Sequence, residues 1–533
     1  MMFKPGPPPE TTSESTPFTA STVRAVEVVR AREALAVIAV MCVADATLFR
    51  GAGFAGWAVL LLSIPPLLHL GSPAHRPLLS TWLFAAAIAV LCARLVWLGS
   101  PFTVCCGLGL LCIFALGRAG RTVHLLESFA FAWCVIPSGL LGLVPYWKQL
   151  QHLAPQVSHR WLNVLLPLFA FVLFGFLFVG ANPDLAQAVS NSLNRWINQL
   201  EQWLIHTSLA EVLFLCFIAV VTVGLLRPVA TLQELRDSGA QQHVKANTPS
   251  SFYTPCRNTM VTVVVLFAIY LVFEFQTLWL REFPIGFYYS GYAHQGAAWL
   301  TVALMAATGI LSLIFRGELL ADPRRRRLYV LAWIWSLENL VLGAAVLNRL
   351  FIYIQFNGMT RMRIVGLFGI ATVIAGFLLV VVKIIQSRSF LWLLRAHLIT
   401  LATACYLYSL APIDWFSTNY NVRRILSGDL APAVQLSVHS LNAEGISQVT
   451  PLTEHPNPII AGGMRALLAN AYLRYAPPGG QSPTDNWSDY QLSHQWLLGH
   501  LQTQRDIWQT HYRDQTQRQA DQQRFAAFVY QWY

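Results

Sequence analysis

What most constrains this chain is a succession of apolar runs, each about as long as a bilayer's hydrocarbon core is thick. A helix rises about 1.5 Å per residue, so about 20 residues cross about 30 Å of hydrocarbon. Runs of that kind fall near 33–50, 53–70, 79–98, 101–117, 123–145, 161–181, 207–226, 258–279, 296–315, 328–352, 363–385 and 390–411. In lipid every backbone N–H and C=O must be satisfied within the protein, so such runs are helices. The chain reads as all-α: a polytopic transmembrane helix bundle of about 12 spans with a helical C-terminal tail.

Composition agrees. Of 533 residues, 55% are hydrophobic and 11% charged, against about 25% charged in soluble domains. No soluble fold of this size hides that much apolar surface, so a lipid bilayer is the expected partner. The net charge of +11 sits in short loops between apolar runs, where cations set orientation and attract anionic lipid. There is no basic stripe with interleaved aromatics, so nucleic acid is not an expected partner. The nine cysteines lie almost entirely inside apolar runs with no CxxC pair. They read as small buried hydrophobes, not as a disulfide framework or zinc site. No metal and no cofactor is expected.

Residues 1–32 form an N-terminal segment rich in Pro, Ser and Thr, expected to be disordered. The run that follows ends in Ala44-Asp45-Ala46, like a signal-peptide cleavage site, but a second run follows at once. The bundle occupies 33–412, a juxtamembrane helical region 413–475, a Pro/Gly-rich linker 476–485, and a polar amphipathic helix 486–533. Within that helix Leu497, Leu501, Trp508 and Tyr512 make an apolar stripe. Residues 184–205 have helical apolar spacing with Trp at the margin, as suits a helix lying in the interface. Basic residues concentrate in the loops 227–257, 316–327 and 383–395, which the positive-inside rule assigns to the cytoplasm. The tail then lies outside the cytoplasm. Carrying the alternation back puts the N-terminus outside as well, against Arg24, Arg30 and Arg32, so one early run is expected not to cross.

Gly51-Ala52-Gly53-Phe54-Ala55-Gly56 matches GxGxxG but lies between two apolar helices, without the strand a dinucleotide site needs. It reads as a close-packing glycine cluster. More informative are the polar groups at membrane depth, where a charge costs at least about 2.5–3.5 kcal/mol and needs a partner or a cavity. They are Asp45, Arg94, Glu127, Glu211, Glu274, Glu338 with Asn339, Asn348 with Arg349, and Arg395 with His397. Glu274 and Glu338 are the hardest to attribute to snorkelling. Each is either structurally paired or part of a functional polar site.

The stretch EFQTLWLREFPIGFYYSGYAHQGAAWL, through Pro284, Gly286, Tyr289, Tyr292, Ala293 and Gly296, resembles a bacterial multi-pass membrane family known as domain of unknown function 4173. So do NRLFIYIQFNGMTRMR, through Arg349, Tyr353, Gly358, Thr360 and Arg363, and IDWFSTNYNVRRI, through Asp414, Asn421 and Arg424; VGANPD at 179–184 is a shorter echo. The resemblance covers roughly 160–455, departs from the family at His294-Gln295 and Ala297, and implies a bacterial inner-membrane protein with no established activity. With the topology above, Tyr289, Tyr292, Arg349, Tyr353, Arg361, Arg363, Asp414, Asn421 and Arg424 reach one extracytoplasmic surface, with Asp414 expected to pair with Arg361 or Arg424.

Three functions follow. The first is a transporter or channel-like protein for a small or amphiphilic solute, suggested by polar groups at depth. The second is a membrane-embedded enzyme holding a lipid-linked phosphate through the Arg/Tyr/Asp cluster. The third is a non-catalytic envelope or signalling scaffold.

Overall fold

The computed structural model describes residues 29–51, 53–72, 79–118, 124–153, 208–227, 253–276, 299–307, 323–386, 388–476 and 486–532, with a few single helical positions between them. It is an all-α bundle. In chain order the long helices are α1 (Ala31–Ala44), α2 (Phe54–Gly71), α3 (Leu79–Trp97), α4 (Pro101–Arg118), α5 (Leu125–Leu153), α6 (Leu209–Leu226), α7 (Tyr253–Glu274), α8 (Arg325–Asn357), α9 (Arg361–Ile385) and α10 (Phe390–Leu410). Among the described residues eight helices are long and apolar enough to cross a membrane, and Thr81–Trp97 is a shorter apolar one. The first run is shorter still, since α1 ends in a π-helical turn over Asp45–Phe49. The run at 161–181 and all but residues 187, 192 and 194 of the interfacial helix at 184–205 lie outside the described residues.

One apolar cluster joins α1–α6 around Leu61, Leu95, Phe114 and Phe131. Two more gather the second half around Trp335 and Phe377, and around Leu342, Val346 and Ile354. Small residues allow the closest approach: a Cβ at Gly139 would stand 1.9 Å from the Val220 carbonyl oxygen, and one at Gly224 2.1 Å from that of Val135. Helices α5 and α6 therefore touch backbone to backbone, the packing that lipid favours.

Ion pairs fix which helix ends lie together. Glu33, in the first turn of α1, accepts from Arg227 at 2.5 Å just past the end of α6. Arg50, beyond the other end of α1, binds Glu211 in the first turn of α6 at 2.7 Å. The two helices are antiparallel, and the tail sits at the Arg50 end. Helix α5 departs from alternation. Glu127 in its first turn pairs with Arg395 near the start of α10, while Tyr146 donates to Glu33 at 2.7 Å. Both contacts belong to the end of the bundle away from the tail, so α5 is long and apolar enough to cross yet starts and finishes on one side. Arg30, Arg32, Arg227, the Arg324–Arg327 run and Arg395 thereby share the end opposite the tail.

The tail differs from its sequence reading. The single polar helix expected over 486–533 is three helices, and the regions before and after the linker share one core. Its helices are α11 (Ile413–Leu426), α12 (Ala433–Val438), α13 (Ala443–Ile446), α14 (Pro458–Tyr475), α15 (Leu492–Thr503), α16 (Arg505–Arg513) and α17 (Gln515–Val529). Val422, Ile460, Met464, Leu468, Leu497, Leu501, Trp508 and Phe525 close around one another. The stripe foreseen at Leu497, Leu501 and Trp508 is internal to this domain. Asp514 breaks the run because its carboxylate accepts from the Gln517 N–H at 3.0 Å and so caps α17.

Candidate functional site

The sequence-selected polar residues fall into two neighbouring groups at the tail-facing end of α7, α8 and α9. The deeper is an ion pair. Glu274 closes α7, and its Oε1 accepts from Arg349 Nε of α8 at 2.7 Å. A second Arg349 nitrogen donates to Oε2, which also accepts from the Tyr270 hydroxyl at 2.8 Å. Glu274 is 1% exposed and Arg349 4%. The pair is dry. Arginine's fork matches both carboxylate oxygens, which offsets part of the desolvation cost of placing charge here.

Above it lies the turn from α8 to α9, which the tail clamps. Gly358 has φ +89°, and a Cβ there would stand 2.5 Å from Asn421 Oδ1, so both conformation and space require glycine. Asn421 of α11 grips the next residue with both amide atoms: its Oδ1 accepts from Met359 N at 2.6 Å and its Nδ2 donates to Met359 O at 2.8 Å. Arg424 donates to the Ile354 carbonyl at 2.8 Å and pairs with Asp429.

Helix α9 opens with Arg361 and Arg363, the wrong sign for the positive end of a helix dipole. Each has its own compensation. Arg361 makes a two-pronged pair with Asp414 and donates to the Ser440 carbonyl at 3.0 Å; Asp414 also accepts from Asn442 N at 3.0 Å. Of the two charge partners foreseen for Asp414, Arg361 is the one used. Arg363 is buried, donates to the Gly358 carbonyl, and lies over the Tyr353 ring at 3.8 Å. His439 sits beside this group. Burial, and then the nearby Arg361 and Arg363, hold its pKa below the usual histidine value.

The remaining charged candidates other than Glu338 are paired too. Asp45 meets Arg50 at 3.0 Å, Glu211 meets the same arginine, and Arg395 takes Glu127. Arg94, near the end of α3, pairs with Glu444 of α13, whose Oε1 also accepts from Trp97 Nε1 at 2.7 Å. Glu338 differs: it lies eleven residues before Arg349, about 16 Å along the helix, and its Oε2 is buried without a hydrogen bond. Asn339 turns its Nδ2 to the Trp335 carbonyl at 2.7 Å. Tyr289 and Tyr292 lie outside the described residues. Among the described residues, no three of His, Cys, Asp and Glu come together as a metal site requires.

Sequence reasoning missed Glu33, Glu444, Ser488 and Gln491. Glu444 and Gln491 resemble any solvated polar residue of the tail; only their distant partners give them a role. The GxGxxG stretch is close packing, as its context suggested. Ser488 Oγ donates to Gly51 O at 2.5 Å, and a Cβ on Gly53 would stand 2.1 Å from the Ser488 carbonyl oxygen.

A family described as a domain of unknown function (DUF4153) matches residues 78–447. The kind of family is the one the motifs suggested, but its number is 4153 and not 4173, and the match begins earlier, within the first half of the bundle. No curated protein and no solved structure matches the chain.

Proposed function

The chain belongs to the family described as a domain of unknown function (DUF4153), and from that premise we propose that it is a non-catalytic membrane scaffold that holds a helical domain at one face of the bilayer. The observation that carries this is the docking of the tail on both halves of the bundle through charged residues. Asp414 takes Arg361 of α9, and Glu444 takes Arg94 of α3. Most of the charged residues a solute path would need are instead used in ion pairs, the buried Glu274 with Arg349 foremost. A transporter keeps its intramembrane charges at a water-accessible site between helices.

Orientation follows from charge. Arg30, Arg32, Arg227, Arg324 and Arg395 share the end of the bundle opposite the tail, and the positive-inside rule assigns that end to the cytoplasm of a bacterial inner membrane. The tail is then extracytoplasmic. Reporter fusions near residues 250 and 455 should report opposite sides; the same side for both would overturn the orientation.

The scaffold role is tested in a deletion strain with a measurable phenotype. A chain lacking 413–533, shown to be membrane-inserted, should behave as the deletion. The double substitution Glu274→Leu/Arg349→Met should restore the wild-type phenotype. Loss of function by the double variant at normal protein level would show that the pair handles a solute and would sink the scaffold role. One observation favours transport: the Glu338 Oε2, partway along α8 and buried with no hydrogen bond among the described residues. If Glu338→Gln folds normally yet abolishes function, transport becomes the better account.

A further inference from the structure

The tail carries exposed aromatic side chains at the level where the membrane helices end. Ser488 reaches down beside α2: a Cβ on Gly56, in the first turn of that helix, would stand 3.3 Å from Ser488 Cβ. Gln491 does the same at α3, donating from Nε2 to the Leu95 carbonyl at 3.1 Å and accepting from Gly99 N at 2.5 Å. Residues 488–491 therefore lie alongside the last turns of the apolar helices and not above them. Asn486 fixes the approach by donating to the carbonyls of Arg50 at 2.9 Å and Gly51 at 3.1 Å.

Between these buried polar contacts Trp487 and Tyr490 point outward, and Trp496 follows in the second turn of α15. Trp487 is 52% exposed, Tyr490 39% and Trp496 45%. Singly such side chains are ordinary on a soluble surface, but several close together mark an interaction or membrane face. At the boundary of a bilayer it is the favoured arrangement, because indole and phenol rings place an apolar body in the hydrocarbon margin and an N–H or O–H among headgroups. The same level recurs at the other half of the bundle. Trp415 and Phe416 stand exposed in the first turn of α11, only a few residues past the end of α10 at Leu410. Arg423, on the same helix face as Phe416, is exposed as well and suits anionic headgroups.

We propose that Trp487, Tyr490 and Trp496, together with Trp415 and Phe416, form an aromatic rim by which the tail inserts into the headgroup layer of the bilayer. The occupant of this surface is lipid, because the rim lies level with the ends of α2, α3 and α10, whose flanks carry exposed apolar side chains such as Val59, Leu62, Val90 and Leu407. The tail is thus held twice, by ion pairs to the bundle and by its rim to the membrane.

A photoreactive benzoylphenylalanine placed at Trp487, Tyr490 or Trp415 tests this in the full chain in native membranes. Irradiation should yield phospholipid adducts at all three positions and none at the exposed Asp506 of α16. Adducts to a second copy of the chain or to another protein at Trp487 and Tyr490, or the absence of lipid adducts there, would overturn the proposal. If the substitution at Trp487 lowers the amount of inserted protein, Tyr490 and Trp415 carry the same comparison. The outcome is separate from the scaffold role, since lipid capture does not depend on what the tail presents.

Discussion

Glu444 of the tail and Arg94 of α3 stand 350 residues apart in sequence and meet in a two-pronged ion pair, its longer contact 3.1 Å. Glu444 is buried, so its removal leaves a largely desolvated guanidinium without an anion. Breaking such a pair costs about 3–5 kcal/mol. Glu444→Gln should loosen the tail from the first half of the bundle while the Arg361–Asp414 contact holds the second half. Limited proteolysis and amide exchange should then show faster opening at 443–449 with little change at 357–361. Equal protection in both proteins would mean that the pair contributes nothing to docking.

The Glu274–Arg349 pair supports a sharper test, because pairing and function make opposite demands. Arg349→Met alone leaves the Glu274 carboxylate buried and should destabilise the protein by about 3–5 kcal/mol. Replacing both partners by apolar residues removes the desolvation cost along with the attraction, and is often neutral or better. Glu274→Leu/Arg349→Met should therefore melt close to the wild type in lipid nanodiscs, well above either single variant. A double variant no more stable than the singles would show that the two charges serve something other than each other.

The spans were legible because the solvent demands them. Twenty apolar residues in a row have few other fates, and nearly every run that falls on described residues is a helix. Being helical does not by itself say where a helix's ends lie. Helix α5 is apolar enough to cross, yet Glu127 and Tyr146 hold it at one end of the bundle, which no local pattern announces. For Glu274 the sequence implied the need for a partner but could not name one, since Arg349 gains its role from the packing of α7 on α8. The tail misled for a different reason. Polar residues between 487 and 530 read as a solvated helix, yet Ser488 and Gln491 bind backbone atoms near glycines more than 390 residues away, and no local pattern encodes that.

Gly53 lets the tail come close to the bundle, and space decides what it tolerates. A Cβ there would meet the Ser488 carbonyl oxygen at 2.1 Å and Asp489 Oδ1 at 2.3 Å. The first is backbone and has nowhere to go. Gly53→Ala should push residues 486–491 away and cost about 1–3 kcal/mol, the usual range for overpacking. Gly109, inside α4, meets nothing within 4 Å, and Ala is the better helix former by about 1 kcal/mol. Gly109→Ala should be neutral or stabilising. Thermal melting of the two variants side by side would contradict this account if Gly53→Ala were the milder.

The tail should also weaken in mild acid. His494 is packed against Tyr475 with ring centroids 4.7 Å apart, and burial holds its pKa below the ordinary 6.5. His439 is shifted the same way, by burial first and then by Arg361 and Arg363. Both imidazoles bind a proton less readily in the folded tail than in the unfolded chain. Between the folded pKa and 6.5 the unfolded state therefore carries more protons, so stability falls as pH drops below 6.5 and levels off beneath the folded value. Melting of the tail, followed from about pH 7.5 to about pH 5, should show this decline before carboxylates titrate. Replacing both histidines, as His439→Gln/His494→Gln, should flatten it. A melting temperature that held constant in the wild type, or fell equally in the double variant, would remove the two histidines from the account.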